Sequence, residues 1–424
     1  MTNLLNRIFS LSKNLSHKRS SFDNLKNEKS TSILFSAIED YSEISEIRYV
    51  GGCIRKILND EIIDDIDFAV NLKPNESIAA LKKNNIKYYE TGIDHGTITA
   101  LIENNKFEIT SLRKDINTDG RHAKVEFSDS WFEDASRRDF TINSIYADID
   151  GNLYDPFNGK RDLELGKVEF IGDVEKRIKE DYLRILRYVR FFLNYSKLEH
   201  SYKVKKIIKN NISGISHISS ERLLDELKKI IKSKDFLKLF KDSFCEEVIR
   251  LIFPQLKNFE IFKKLNNFAK KNLSKVDFIF LICLMIIDNT DNTDYFLFKF
   301  NVSNAEKKRI LFLKKFYDEQ IDKNFFSEKN LWKVLYYNGK QSLRDLLYFD
   351  IFRSKNINKK LVNLIDFFED QEVPIFPIKA KNLMEKYNIT EGKLLGIKLK
   401  KIEEKWINND YKVSEKEVAQ VLEN

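Results

Sequence analysis

The chain has 424 residues, 42% of them hydrophobic and 33% charged, with a formal charge of +8 from 73 basic and 65 acidic side chains. That length suits two to four packed units with real cores, and the basic excess fits either a solvated surface or attraction to a polyanion. Cys53, Cys245 and Cys283 have no paired spacing, which excludes a disulfide framework or zinc cluster and points to a reducing, cytoplasmic compartment.

Residues 1–30 are polar, basic and poor in acids, without the compact apolar stretch of a secretory signal, and read as an N-terminal arm. From residue 31 to about 165 short β-type segments follow one another: Arg48 to Val50, Asp65 to Val70, Thr97 to Ile102, Lys106 to Leu112 and Ile142 to Ala147. Nine of the thirteen glycines precede residue 173, and none lies between Gly214 and Gly339. Beyond that point apolar residues recur at helical spacing. Helices are expected near 174–195, 200–210, 218–233, 235–250, 257–270, 275–288, 304–316, 329–336, 341–350, 358–369, 379–387, 391–407 and 414–422. The apolar run Phe278 to Ile287 is too short to span a membrane, which needs about 20 residues, and reads as a buried helix. The fold class is therefore α+β, with a mixed head and an all-helical remainder.

The densest chemical signal is VGGCIRKILNDEIIDDIDFAV, Val50 to Val70. Gly51 and Gly52 follow a strand and precede an amphipathic turn of helix, so the chain can turn tightly there and bring backbone N–H groups to a phosphate. Asp65 and Asp67 are two apart in a β-type segment, so both side chains leave one face. Two such carboxylates repel, and a divalent cation resolves that cost while staging chemistry on phosphate. Asp64 lies on the opposite side or at the strand's entry and is not assigned a metal. Glu108, alternating with apolar neighbours on the next strand, is the expected third carboxylate. All-oxygen ligation fits Mg²⁺, and the five histidines are scattered.

These motifs resemble the class II tRNA nucleotidyltransferases and bacterial poly(A) polymerases of the polymerase-β superfamily, over residues 48 to about 230. GGCIRKIL and DDIDFAV are similar to the family's metal-binding signature, with Lys56 where an Asp is usual, a departure expected to weaken a salt bridge of Arg55. RRDFTINSIY resembles its second signature, which shapes the triphosphate and sugar site. Arg137 and Arg138 offer forked donors to phosphate, and Asp139 and Asn143 sit four apart on a helix-like turn. DGRHAKVEF resembles the loop used in nucleotide selection and adds Arg121. RIKEDYLRILRYVRFF is similar to the base-reading signature. On one continuous helix Asp181 and Arg184 would share a face, with Arg187 in the next turn. The carboxylate can accept from the amine of cytosine or adenine, and the guanidinium can donate to a ring nitrogen or keto oxygen. ISSERLLDELKKII is similar to a further signature, with Ser220 as the expected helix cap.

The resemblance implies a polymerase-β-like head at 31–165, a neck at 166–235, a body at 236–350 and a tail that binds tRNA at 351–424. It implies that Asp65, Asp67 and Glu108 are catalytic and that Asp65 and Asp67 bind Mg²⁺. Gly51, Gly52, Arg55, Arg121, Arg137, Arg138, Asp139, Asn143, Asp181, Arg184 and Arg187 would bind nucleotide. The expected reaction is addition of CMP, CMP and AMP to the tRNA 3′ end from CTP and ATP, with pyrophosphate released. Poly(A) addition, CC-only or A-only addition, and a non-catalytic RNA-binding role stand as alternatives. Lysine-rich stretches at 203–209, 264–275 and 398–405 suit phosphate contacts or solvated helix faces. No membrane association and no obligate protein partner are expected.

Overall fold

A seven-stranded mixed sheet forms the base of the N-terminal unit. The computed structural model describes residues 22–117, 124–319, 325–388 and 390–423, in two compact units, 1–252 and 253–424. The strands are β1 (Ile47–Val50), β2 (Asp67–Val70), β3 (Lys87–Gly92), β4 (Thr97–Ile102), β5 (Asn105–Ser111), β6 (Arg113–Asn117), β7 (Lys124–Phe127), β8 (Tyr146–Ala147) and β9 (Leu153–Tyr154). The sheet order is β3-β4-β5-β2-β1-β8-β9, and β6 and β7 form a separate two-stranded ribbon. β2 runs parallel to β5 and antiparallel to β1.

Alternation along the strands decides which residues face the core. Tyr49, Phe68 and Phe107 turn to one side and pack ring against ring with Phe35 of α1 (Lys29–Glu39), at centroid distances of 5.0 to 5.8 Å. Val50, Ala69 and Tyr146 turn to the other side, where they cluster with Leu112, Ala135 and Trp131. Asp67 shares that second side and lies half-buried at the strand's entry. Helices α2 (Gly52–Leu58) and α3 (Pro74–Lys83) follow β1 and β2.

Helix α4 (Trp131–Ser136) precedes β8, and after the last strand come α5 (Gly159–Leu165), α6 (Val174–Glu180), α7 (Leu183–Tyr195), α8 (Tyr202–Asn211), α9 (Ser220–Ile231) and α10 (Ser243–Ile252). The single helix expected over 174–195 is two helices. Asp181 has extended φ/ψ of −155° and 105°, and its carboxylate accepts from Leu183 N at 3.1 Å. Aspartate competes for nearby backbone donors, so here it caps the second helix rather than continuing the first. The cap of α9 is Ser219, one residue before the expected Ser220. Of the strand expected over 142–147, only Tyr146–Ala147 pairs, because Thr141–Asn143 is a 3₁₀ turn.

In the second unit every residue of the helix Phe278–Ile286 is buried, as the apolar run requires. Phe280 packs edge-on against Phe352, with centroids 5.2 Å apart, on the helix Glu328–Arg353. Gly339, whose φ is +79°, breaks that span into two helices, in keeping with the two expected near 329–336 and 341–350. The helix Asn292–Lys299 was not expected from periodicity. Among the described residues no helix is long and apolar enough to cross a membrane.

Candidate active site

Three carboxylates, Asp65, Asp67 and Glu108, gather at the central β2–β5 pair of the sheet. Val50 is the register partner of Asp67 on one side and Glu108 is its partner on the other. β2 begins at Asp67, not at the expected Asp65; Asp65 precedes the strand and is exposed. It remains close enough to act electrostatically. Burial first, then the charges of Asp65 and Glu108, push the Asp67 carboxyl up to about 6, against the pull of Arg138 and Arg55. Asp64 is held apart by an ion pair to Lys56. The lysine that departs from the family pattern therefore pairs within its own turn. Arg55 is buried, donates to Asn143 Oδ1 and lies over the rings of Phe191 and Tyr195, at 4.8 and 5.1 Å.

A cavity of about 670 Å³ opens beside these carboxylates. Gly51, Gly52, Arg55, Asp67, Arg137, Arg138, Asp139, Asn143, Asp181, Arg184 and Arg187 all line it, so eleven residues expected at the site come together. Asp65 and Glu108 do not line it, and Arg121 lies outside the described residues. Among the lining residues arginines outnumber carboxylates eight to four, which favours a polyanionic occupant. Gly51 turns the chain at the cavity wall with φ +71°, where a Cβ would stand 3.8 Å from Arg138 Nη1.

Hydrogen bonds join the sheet to the helices that follow. Asp139 Oδ1 accepts from Asn143 Nδ2 at 2.9 Å, and its Oδ2 accepts from Arg187 Nε at 2.5 Å. Burial would raise the Asp139 carboxyl, but Arg187 and Asn143 outweigh it and hold the group well below the usual carboxylate range. Arg177 donates to the carbonyl oxygens of Arg137 and Arg138. Glu180 Oε2 accepts from both Arg177 and Arg184, the latter at 2.7 Å, and Arg184 also donates to Arg177 O at 2.7 Å.

Asp181 and Arg184 thus face one cavity from either side of a helix break, not from one rigid helix. Asp181 pairs with Arg222 of α9 at 2.7 Å rather than with Arg184. Sequence reasoning missed Arg222, Arg190, Glu180, Arg113, His95, Leu183 and Phe191 as lining residues. The ERLLDE segment carried a signal for two of these contacts, because Arg222 and Glu226 lie four apart on one face and reach Asp181 and Arg190 respectively.

It also missed Asp134. This residue is 1% exposed and binds Arg137 through Oδ1 and Arg138 through Oδ2. Its signal was spacing, since an acid three and four residues before a pair of arginines can hold both.

A second grouping lies between the segment before α8 and the start of α10. His200, Asp242 and Cys245 place one potential ligand atom each within 4.8 Å of the others. Nitrogen, oxygen and sulfur donors do not make the all-oxygen set that suits Mg²⁺. Asp242 instead accepts from Cys245 N at 2.8 Å at the start of α10, while His200 bridges Asp242 and Tyr188. The group is accounted for as a hydrogen-bonded helix cap.

Residues 47–169 match the family model of the poly A polymerase head domain, and residues 201–260 match that of the probable RNA and SrmB-binding site of polymerase A. The mitochondrial CCA tRNA nucleotidyltransferase 1 of Mus musculus is 32% identical over 399 residues, covering 90% of this chain and 87% of the relative. The chain belongs to the CCA-adding enzymes of the polymerase-β nucleotidyltransferase superfamily. Another relative of these nucleotidyltransferases, the CCA-adding enzyme of Staphylococcus haemolyticus, is 30% identical over 370 residues, 84% of this chain and 85% of its own. The crystal structure of the Bacillus stearothermophilus CCA-adding enzyme in complex with CTP shares the fold. Its TM-score is 0.67 at 20% identity, over 92% of this chain and 95% of that one. The α+β head followed by helices is thus the fold of a nucleotidyltransferase, as the sequence led one to expect.

Proposed function

We propose that this nucleotidyltransferase completes the 3′ end of tRNA, adding CMP, CMP and AMP from CTP and ATP. The observation that carries the reading is one cavity lined both by Asp67 at the start of β2 and by the polar set Asp181, Arg184 and Arg222. The first suits transfer chemistry and the second suits a base edge. The triphosphate would lie along Gly51, Gly52, Arg137 and Arg138, with its α-phosphorus toward the carboxylates. The 3′-oxygen of the RNA would attack that phosphorus in line. A new O–P bond forms, the bond to the β-phosphate oxygen breaks, and pyrophosphate leaves.

The residues present fit Mg²⁺. Asp65, Asp67 and Glu108 offer oxygen donors only, and burial together with the charges of the other two already raises Asp67. These three would hold the ion, which when bound makes the 3′-hydroxyl more acidic and offsets charge on the triphosphate. Asp181 and Arg184 would orient a base carrying an exocyclic amine, because a keto oxygen facing the carboxylate leaves polar groups unpaired. The buried, unpaired cysteines support a reducing compartment such as the cytoplasm.

Incubation with tRNA ending at the base that precedes CCA, with CTP and ATP supplied separately and together, tests the reading. Three residues in the order C-C-A are expected with both nucleotides. A long A tail would assign poly(A) synthesis instead, and a product that stops after CC, or that needs CC already in place, would assign a partial activity.

A further inference from the structure

Two guanidiniums side by side at a cavity wall repel each other and would scatter toward solvent unless something held them. Arg137 gives Nε and Nη2 to Asp134 Oδ1, at 2.8 and 2.6 Å. Arg138 gives Nε and Nη2 to Oδ2, at 3.2 and 3.0 Å. One carboxylate thus clasps both arginines, one oxygen for each. The clasp leaves Arg138 Nη1 on the side of the Gly51 turn. Tyr146 closes the arrangement: its hydroxyl donates to Asp134 Oδ2 at 2.7 Å and accepts from Arg138 Nε at 2.9 Å. Tyr146 is fully buried on β8 and in register with Val50, so the clasp is rooted in the same sheet as the carboxylates.

Asp134 also meets the β6–β7 ribbon. Arg113 N, at the start of β6, donates to Asp134 Oδ1 at 3.4 Å. The end of β7 runs through Ser128 and Ser130 into α4, which carries Asp134, and Ser130 caps that helix. Asp134 itself does not line the cavity, so it acts through its partners. Burial would raise its carboxyl, yet the two arginines outweigh that cost and keep it ionised.

We infer that Asp134 is a positioning residue of the triphosphate subsite, aiming Arg137 and Arg138 together at phosphate and tying them to the base of the ribbon. The inference rests on the reading that this cavity takes a nucleoside triphosphate. Donors held in place before the substrate arrives need no reorganisation when it binds, which is where such a residue exerts its effect.

Steady-state kinetics of the Asp134→Asn variant of the full chain test this, with inorganic pyrophosphate as a competing probe that carries no base. The KM for CTP and for ATP and the inhibition constant for pyrophosphate should all rise by a similar factor, about tenfold or more. The preference for CTP over UTP should stay at its wild-type value. Tyr146→Phe keeps the charges of Asp134 and both arginines and removes the two hydrogen bonds of the hydroxyl. It should raise the same constants a few-fold, and it decides the matter if Asp134→Asn does not fold. Unchanged KM and pyrophosphate inhibition in folded variants, or a loss of base preference with KM retained, would overturn the role. If the wild-type protein binds neither CTP nor pyrophosphate, the reading of the cavity fails and the role falls with it.

Discussion

Asp67 on β2 and Glu108 on β5 are register partners across a parallel strand pair, so their carboxylates leave the sheet at the same level and on the same side. Phe68 and Ile109, one residue further on, pair in the same register and are buried on the other side. The aromatic core thus holds the acidic face in place. Two segments far apart in the chain supply one site because β2 pairs directly with β5, while β3 and β4, which separate them in sequence, lie beyond β5 in the sheet.

The buried ion pair between Asp139 and Arg187 ties the head to the neck, and its loss should be visible in stability. Asp139→Asn should cost near the lower end of about 3–5 kcal/mol, because Arg187 keeps 32% of its side chain in solvent. The folded-state pKa of Asp139 is depressed, so its contribution is present above the unfolded value, about 3.9, and is lost as pH falls toward the folded one. Melting temperature measured from pH 7 down to about pH 2 should therefore start lower in the variant and fall less steeply through the acid limb. Superimposable curves would remove the pair from the account of stability.

Base preference should respond to Asp181 separately from transfer chemistry. Asp181→Asn keeps the shape but replaces one acceptor oxygen with a donor. The advantage of CTP and ATP over UTP and GTP should shrink by about 1–3 kcal/mol. Arg222→Ala should have a smaller effect in the same direction, since the N–H of Leu183 still holds Asp181. The check is kcat/KM for all four nucleotides on one tRNA. Wild-type ratios in a folded Asp181→Asn protein would make the helix break scaffold alone.

Gly214 lies against the ring of Tyr182, next to Asp181, and a Cβ there would stand 2.0 Å from Tyr182 Cε1. Gly214→Ala must therefore displace the helix break. A loss of about 1–3 kcal/mol in stability is expected, together with weaker discrimination between CTP and UTP. Thermal melting and the CTP/UTP ratio measure the two effects, and a change in neither would show that the break tolerates movement.

Much of the site was legible because short-range patterns carry it. A paired glycine after a strand and an Arg-Arg-Asp run each state their geometry locally, whereas of the two aspartates at strand spacing only Asp67 lies in the strand. What escaped was set by partners distant in sequence. Nothing in the periodicity of 174–195 announces a break, because apolar spacing continues through it; the break follows from Asp181 capping the next helix and from the fit of Tyr182 over Gly214. Asp134 carries no local signal beyond its spacing to the two arginines, and its role follows from burial with both of them. β3 was missed because its residues are mostly exposed, so no apolar alternation marks it.

The rate of nucleotide incorporation by Asp67→Asn tests the central claim most directly, that the acidic group at the β2–β5 pair performs the transfer. The substitution keeps side-chain volume and removes one negative charge from the group formed with Asp65 and Glu108. With Mg²⁺ present, incorporation of CTP and of ATP should fall together by roughly a hundredfold or more while tRNA binding stays near wild type. Incorporation within about tenfold of wild type in a folded protein would contradict the account.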